Sequence, residues 1–68
     1  MKITRNGSII EITTKKGVEY MIEPNDERNG YYVRIWSGDE FGDGDWEVID
    51  EVKSSQTAID QVKKWDRR

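Results

Sequence analysis

The spacing of apolar residues changes once along this chain, and that change constrains the fold more than any other feature. In residues 2–52 apolar and polar side chains alternate with a period of two, as in strands that bury one face. After residue 54 the apolar residues recur three or four positions apart, which is the stripe of an amphipathic helix. The helical stripe consists of Ala58, Ile59, Val62 and Trp65. The order therefore predicts several strands followed by one C-terminal helix.

Turn residues divide the first part of the chain into strands. The Asn6-Gly7 pair favours a two-residue type I′ hairpin, because both residues tolerate positive φ. Gly17 closes a second turn, and Pro24 ends the third strand because proline has no N–H to donate. The predicted strands are 2–5, 8–14, 18–23, 31–36 and 46–52, with a loop at 37–45. Ser54 or Ser55 is expected to cap the helix.

These elements predict a single α+β domain over residues 1–68, an antiparallel meander of four or five strands with the helix packed on one face. Strand alternation places Ile3, Trp46 and Val48 among the inward residues. Trp65 is expected to be buried with Ile59 and Val62. The opposite face would carry Ile9, Met21, Tyr32, Trp36 and Ile49. Either the sheet curls into a partial barrel that hides these side chains, or they form a contact surface.

Charge is unevenly distributed, although the net charge is only −3. Residues 17–52 hold eleven acidic residues against two basic ones, whereas residues 1–16 and 53–68 are each net basic. The densest part is 39–51, with seven acids and no base. Such a run repels phosphate and attracts a basic protein surface.

The residue types present leave little catalytic chemistry. Histidine and cysteine are both absent, which removes the commonest metal ligand, the commonest general base and any thiolate. A calcium-loop-like run at 43–47 and a nuclease-like triplet at 51–53 lack the spacing or the larger sheet that such sites need. We therefore expect no enzyme activity, no metal, no other cofactor and no small-molecule substrate. No apolar run exceeds three residues, so a cytoplasmic location without a membrane partner is also expected.

From Arg28 onward the chain carries the segment "NGYYVRIW", a glycine-bearing turn, the strand "DWEVIDEV" and the helix "SSQTAIDQVKKW". This part, residues 28–68, resembles the β-β-β-α arm-binding domains of phage-type integrases and several small phage proteins. In the integrase-type domain a basic sheet face enters the DNA major groove. Here residues 31–52 contain seven acids and only Arg34 as a base. The resemblance thus supports the fold and argues against its usual DNA-binding function.

The favoured interpretation is a protein-binding module, in which aromatic anchors flanked by acids meet a basic partner. A sharper version is a phage or mobile-element inhibitor, anti-CRISPR-like, whose carboxylates replace phosphates on a host nucleic-acid-binding or defence complex. The candidate partner-binding residues are Tyr32, Arg34, Trp36, Asp39, Glu40, Phe41, Asp43, Asp45 and Glu47.

The alternative is a sheet-based DNA- or RNA-binding domain. Tyr32 and Trp36 would then stack on bases, and the basic residues of both chain ends would contact phosphates. Those residues are Lys2, Arg5, Lys15, Lys16, Lys63, Lys64, Arg67 and Arg68. The basic residues of the two chain ends would lie near one another if the helix packs beside the first hairpin.

Overall fold

The computed structural model describes residues 1–39 and 41–67. Its five strands form one antiparallel sheet in the order β1-β2-β3-β4-β5, and a single helix, α1, follows them. The elements are β1 (Lys2–Asn6), β2 (Ile9–Thr13), β3 (Glu19–Pro24), β4 (Tyr31–Gly38), β5 (Gly44–Val52) and α1 (Ser55–Asp66). The predicted α+β meander with one C-terminal helix is confirmed.

The core lies between α1 and the middle of the sheet. The helix packs on β3, β4 and β5, and it buries Ala58, Ile59 and Val62 against the strands. The sheet contributes the buried side chains of Ile10, Ile12, Tyr20, Ile22 and Val33. Burying such side chains supplies about 1.5–3 kcal/mol each, which is the main stabilising contribution in a domain of this size.

The helix begins and ends as its sequence predicts. Ser54 is the N-cap, and its side chain accepts a hydrogen bond from the Thr57 backbone N–H at 3.1 Å. Lys63 and Lys64 lie in the last turn, where the helix dipole favours positive charge. Trp65 packs against the core and against the Tyr20 ring at a centroid distance of 5.8 Å, as expected, but it is only partly buried, unlike Ile59 and Val62.

The first hairpin uses a different turn from the predicted one. Asn6 pairs with Ile9 in the last position of β1, so the two turn residues are Gly7 and Ser8. Gly7 alone has positive φ, at 63°, which is the pattern of a type II′ turn with glycine in its first central position. Since Asn6 belongs to the strand, its tolerance of positive φ is not used.

Strand β5 departs from simple alternation. A β-bulge opposite Val33 and Arg34 pairs Asp50 with Val33 but Val48 with Arg34. The extra residue changes which side chains share a face, because strand side chains alternate with a period of two. Val48 and Trp46 therefore lie on the side away from the helix, and the prediction that they point inward is wrong.

The sheet is open and not curled into a barrel. Strands β1 and β5 form its two edges and do not pair with each other. All five residues of β1 are exposed, including Ile3 at 39%, so the expectation that Ile3 joins the core is also wrong. The main contacts of the helix are with β3, β4 and β5, and β2 of the first hairpin contributes Ile10 and Ile12 to the same core.

The connection between β3 and β4 is organised around buried Asn25. Its side-chain amide donates to the Asn29 side chain at 2.8 Å and to the Glu51 carboxylate at 2.7 Å. Its side-chain oxygen accepts the Asn29 backbone N–H at 3.1 Å. These bonds attach the connection to β5 and satisfy a polar group that would otherwise be costly to bury.

Within residues 1–39 and 41–67, no helix is long and apolar enough to cross a membrane.

Candidate functional site on the open face and the distal hairpin

The face of the sheet away from α1, called here the open face, has a mixed aromatic and charged surface. Residues opposite each other on adjacent strands point to the same side. The pairing therefore aligns Glu11, Met21, Arg34 and Val48 in one row across β2 to β5. A second row contains Glu23, Tyr32 and Glu51, and a third contains Trp36 and Trp46. Val48 is 48% exposed, so this row remains accessible at the β5 edge.

Arg34 lies near the centre of the open face and is held there by three contacts. Its Nε donates to the Glu23 carboxylate in an ion pair. Its Nη1 donates to the Trp46 carbonyl oxygen at 3.2 Å, and the guanidinium lies 5.5 Å from the Tyr32 ring centroid. The positive charge is thus already compensated by a carboxylate and an aromatic face. Arg34 orients its aromatic neighbours and is poorly placed to attract phosphate.

Trp36 and Trp46 form an aromatic pair where the hairpin leaves the rest of the sheet. Their ring centroids are 5.3 Å apart with planes tilted by 57°, a favourable geometry for indoles. Pairing between β3 and β4 stops at Ile35, and beyond that point β4 pairs with β5. This segment, residues 36–47, is called here the distal hairpin.

Two glycines allow the Trp36 indole to lie along the distal hairpin. Gly38 and Gly44 are paired across β4 and β5, on the same face as the two tryptophans. A Cβ on Gly38 would lie 2.6 Å from Trp36 Nε1, and one on Gly44 would lie 2.9 Å from Trp36 Cζ2. Any larger residue would displace the ring. Gly38 and Gly44, predicted to be part of a loop at 37–45, thus belong to strands and lie against an aromatic side chain. The strands are connected by residues 39–43.

The connection 39–43 is held in place by Asp39. Its Oδ1 accepts the backbone N–H groups of Phe41 at 2.9 Å and Asp43 at 3.0 Å. The Asp39 backbone N–H donates to the Asp43 carbonyl oxygen at 2.8 Å, and Gly42 adopts φ 87°. Phe41 is consequently presented at the tip on an ordered turn, with 82% of its surface exposed.

The acidic residues of the distal hairpin point to different sides. Asp45 pairs with Ser37 and Glu47 pairs with Ile35, so both lie on the side opposite the tryptophans. Asp45 Oδ1 also accepts the Trp46 backbone N–H at 2.8 Å. Asp43 is exposed in the connection, and Glu40 lies outside the described residues. The hairpin therefore carries carboxylates around an aromatic tip and not on one flat edge.

The structure brings together only part of the predicted set. Tyr32, Arg34 and Trp36 share the open face, and Phe41 lies beyond them at the tip. The predicted site omitted Trp46, Val48 and Glu23, which lie on the same face as Met21, a residue that strand alternation already places there. For Trp46 and Val48 the sequence signal was Asp50, whose polar side chain interrupts the apolar alternation of β5 next to the bulge.

Among the described residues of the site, Tyr32 has a shifted pKa. Burial, followed by the negative charge of Asp26, raises the pKa of the Tyr32 hydroxyl, which donates to the Asp26 carboxylate at 3.3 Å. Across the part of the chain that the structure describes, no group of three or more carboxylates is placed to hold a metal ion. An open groove near the β3–β4 connection is lined mainly by polar residues.

Comparison with models of known protein families, with curated proteins and with solved structures finds no match for this chain. The resemblance to integrase arm-binding domains consequently stays a prediction.

Proposed function

We propose that this chain is a non-catalytic module that binds a protein partner with a basic surface through the open face and the distal hairpin. The observation that carries the proposal is Phe41, a large aromatic side chain that is 82% exposed on an ordered turn. Exposing an aromatic ring this fully contributes nothing to folding. Aromatic residues dominate the binding energy of protein interfaces, especially when they are already held in position.

The aromatic pair and its surroundings support the same proposal. Trp36, Trp46 and Tyr32 provide apolar area on one face, and the ordered positions of Arg34 and the two tryptophans reduce the entropy lost on binding. Asp43 lies in the connection beyond this area, and Asp45 and Glu47 add negative charge on the other side of the same hairpin. Carboxylates around an apolar centre accelerate association with a basic partner and disfavour acidic ones.

The finer proposal concerns the kind of partner. A small module with acidic groups on a protruding hairpin suits a surface that normally binds nucleic acid, where the carboxylates would replace phosphates. Together with the resemblance of residues 28–68, this favours an inhibitor from a phage or other mobile element that acts on a host nucleic-acid-binding or defence complex, in the manner of an anti-CRISPR protein.

Tryptophan fluorescence tests the proposal directly. In the Trp65→Phe variant, emission comes only from Trp36 and Trp46, both in the proposed site. Addition of a short arginine-rich peptide should shift this emission, and the apparent affinity should fall with added salt because the attraction is partly electrostatic. Replacing Phe41 by Ala in the same background should weaken binding by about tenfold or more, as expected for an interface anchor.

Matched variants separate this site from general charge attraction. Asp43→Asn with Glu47→Gln removes two charges from the distal hairpin, whereas Asp60→Asn with Asp66→Asn removes two from α1, on the other side of the sheet from the open face. The first pair should slow association, and the second should leave it nearly unchanged. Equal effects from both pairs would show that the peptide senses only net charge, and the proposal would fail.

Binding to DNA tests the alternative function, a sheet-based nucleic-acid-binding domain. A gel-shift assay with short duplex and single-stranded DNA should show no complex at physiological salt, because Arg34 is already paired and the distal hairpin is acidic. A clear shift at micromolar protein that weakens steeply with salt would favour the sheet-based nucleic-acid reader.

A further inference from the structure

The two edges of the sheet differ in how they are protected. On β5, the backbone N–H groups of Trp46 and Glu51 donate at 2.8 Å to the carboxylates of the preceding Asp45 and Asp50. The β-bulge also interrupts the regular spacing of this strand. Occupied donors, bulges and charges are the usual means by which an edge strand avoids pairing with another chain. An added strand would therefore meet an obstructed edge at β5.

The β1 edge has neither a bulge nor a backbone donor occupied by a side chain among the described residues, and its charges are basic, unlike those of β5. Its five residues are all exposed, it pairs regularly with β2, and it contains no bulge. Among residues 1–39 and 41–67, no side chain is hydrogen-bonded to the β1 backbone. The helix packs over β3 to β5, so the face of β1 on that side is also accessible.

The charge of β1 defines what fits beside it. Lys2 and Arg5 are its only charged residues, whereas the sheet elsewhere is predominantly acidic. Lys2 lies on the open face with Thr4, and Arg5 lies on the helix side with Ile3. A second copy pairing through the same strand would bring equal charges together, which disfavours it. A strand with carboxylates opposite Lys2 and Arg5 would be attracted.

We propose that β1 is a strand-addition site for an extended acidic segment of a protein partner. In an antiparallel arrangement the segment would place an acid opposite Arg5, an apolar residue opposite Ile3 and an acid opposite Lys2. Backbone hydrogen bonds to the unpaired side of β1 would provide affinity, and these alternating side chains would provide selectivity. This site is independent of the proposed function, because the distal hairpin lies at the opposite edge and attracts the opposite charge.

The test uses a blocked peptide with the sequence Thr-Glu-Thr-Val-Glu-Val-Thr and backbone amide NMR of the intact chain. The peptide should shift the amide signals of residues 2–6 and slow the hydrogen exchange of the outward-facing N–H groups. A peptide with the same side chains, N-methylated on the residues that would donate to β1, should lose binding by about tenfold or more, because it cannot form the ladder. If the methylated peptide binds equally well, the attraction is only electrostatic and the proposal is wrong.

Charge inversion gives the specificity control. The Lys2→Glu, Arg5→Glu variant should retain the parent's thermal melt, since both side chains are exposed. It should bind the acidic peptide about tenfold more weakly and should instead bind a peptide in which Lys replaces both Glu residues. Unchanged preference for the acidic peptide would overturn the proposal.

The oligomeric state provides the remaining outcome. The chain should sediment as a monomer before the peptide is added. A dimer whose formation protects the β1 amides from exchange would identify a second copy as the occupant and would contradict the acidic-segment assignment. The arginine-rich peptide tests the distal hairpin and the acidic peptide tests β1. Each proposal can therefore fail without affecting the test of the other.

Discussion

Replacing Trp65 by Ala tests how strongly the helix is held on the sheet. Trp65 is partly buried at the C-terminal end of α1, where its ring contacts Tyr20 at a centroid distance of 5.8 Å and a tilt of 33°. A fully buried Trp→Ala change costs about 3–5 kcal/mol. Partial burial reduces that cost by about half, and loss of the aromatic contact adds about 0.5 kcal/mol. The expected loss is therefore about 2–3 kcal/mol.

This loss is large for a domain of 68 residues, whose total stability is expected to be about 3–10 kcal/mol. With a urea dependence of about 1 kcal/mol per molar, the unfolding midpoint should fall by about 2–3 M. Far-UV circular dichroism is the appropriate signal, because it does not depend on the tryptophan removed. The melting temperature should fall by about 10–20 °C.

Phe41→Ala is the matched control, since it also removes an aromatic ring but from a side chain that is 82% exposed. Its free energy of unfolding should change by less than about 0.5 kcal/mol. If Trp65→Ala is no more destabilising than Phe41→Ala, the helix end is not docked as described and the core assignment is wrong.

Three further predictions concern the loops and the pH dependence of stability. Asp39→Ala should cost about 1–2 kcal/mol because two backbone N–H groups lose their acceptor. Asp43→Asn should leave the melting temperature unchanged or raise it, and equal melting temperatures for the two variants would refute the turn assignment. Gly30→Ala should destabilise by about 1–3 kcal/mol, since its Cβ would lie 2.5 Å from the Val52 carbonyl oxygen, and a neutral effect in urea unfolding would contradict this packing. Burial, with the nearby charge of Asp66, raises the pKa of Tyr20. The contribution of Tyr20 to stability is therefore fully present below about pH 10, the ordinary tyrosine pKa, and is lost as the pH rises from there through the higher folded-state pKa. Tyr20→Phe should reduce the fall in the urea midpoint above pH 10, and an unchanged fall would exclude this tyrosine as its source.

The helix and the strand order could be predicted from the sequence because they depend on local rules. The three- and four-residue spacing of Ala58, Ile59 and Val62 indicates a helix, and Ser54 provides its N-cap. Glycine and proline mark most of the strand ends. These signals arise within a few residues of each other and do not require knowledge of the tertiary structure.

The site was harder to predict because its composition depends on one extra residue in β5. The bulge moves Trp46 and Val48 to the open face, and strand alternation alone gave the opposite assignment. The local role of Asp39 was also missed, since a carboxylate in an acidic run resembles any other until its backbone partners are known. Counting acids identified the region but not which of its carboxylates stabilise the turn.

The indole N–H signals of the three tryptophans provide the most direct test of the proposed binding surface. Proton–nitrogen NMR spectra recorded during titration with the arginine-rich peptide report Trp36, Trp46 and Trp65 separately. We predict that the Trp36 and Trp46 signals shift together with the amides of residues 41–47, while the Trp65 signal stays in place. Shifts at Trp65 with none at Trp36 and Trp46, or no shift at all, would contradict binding through the open face and the distal hairpin.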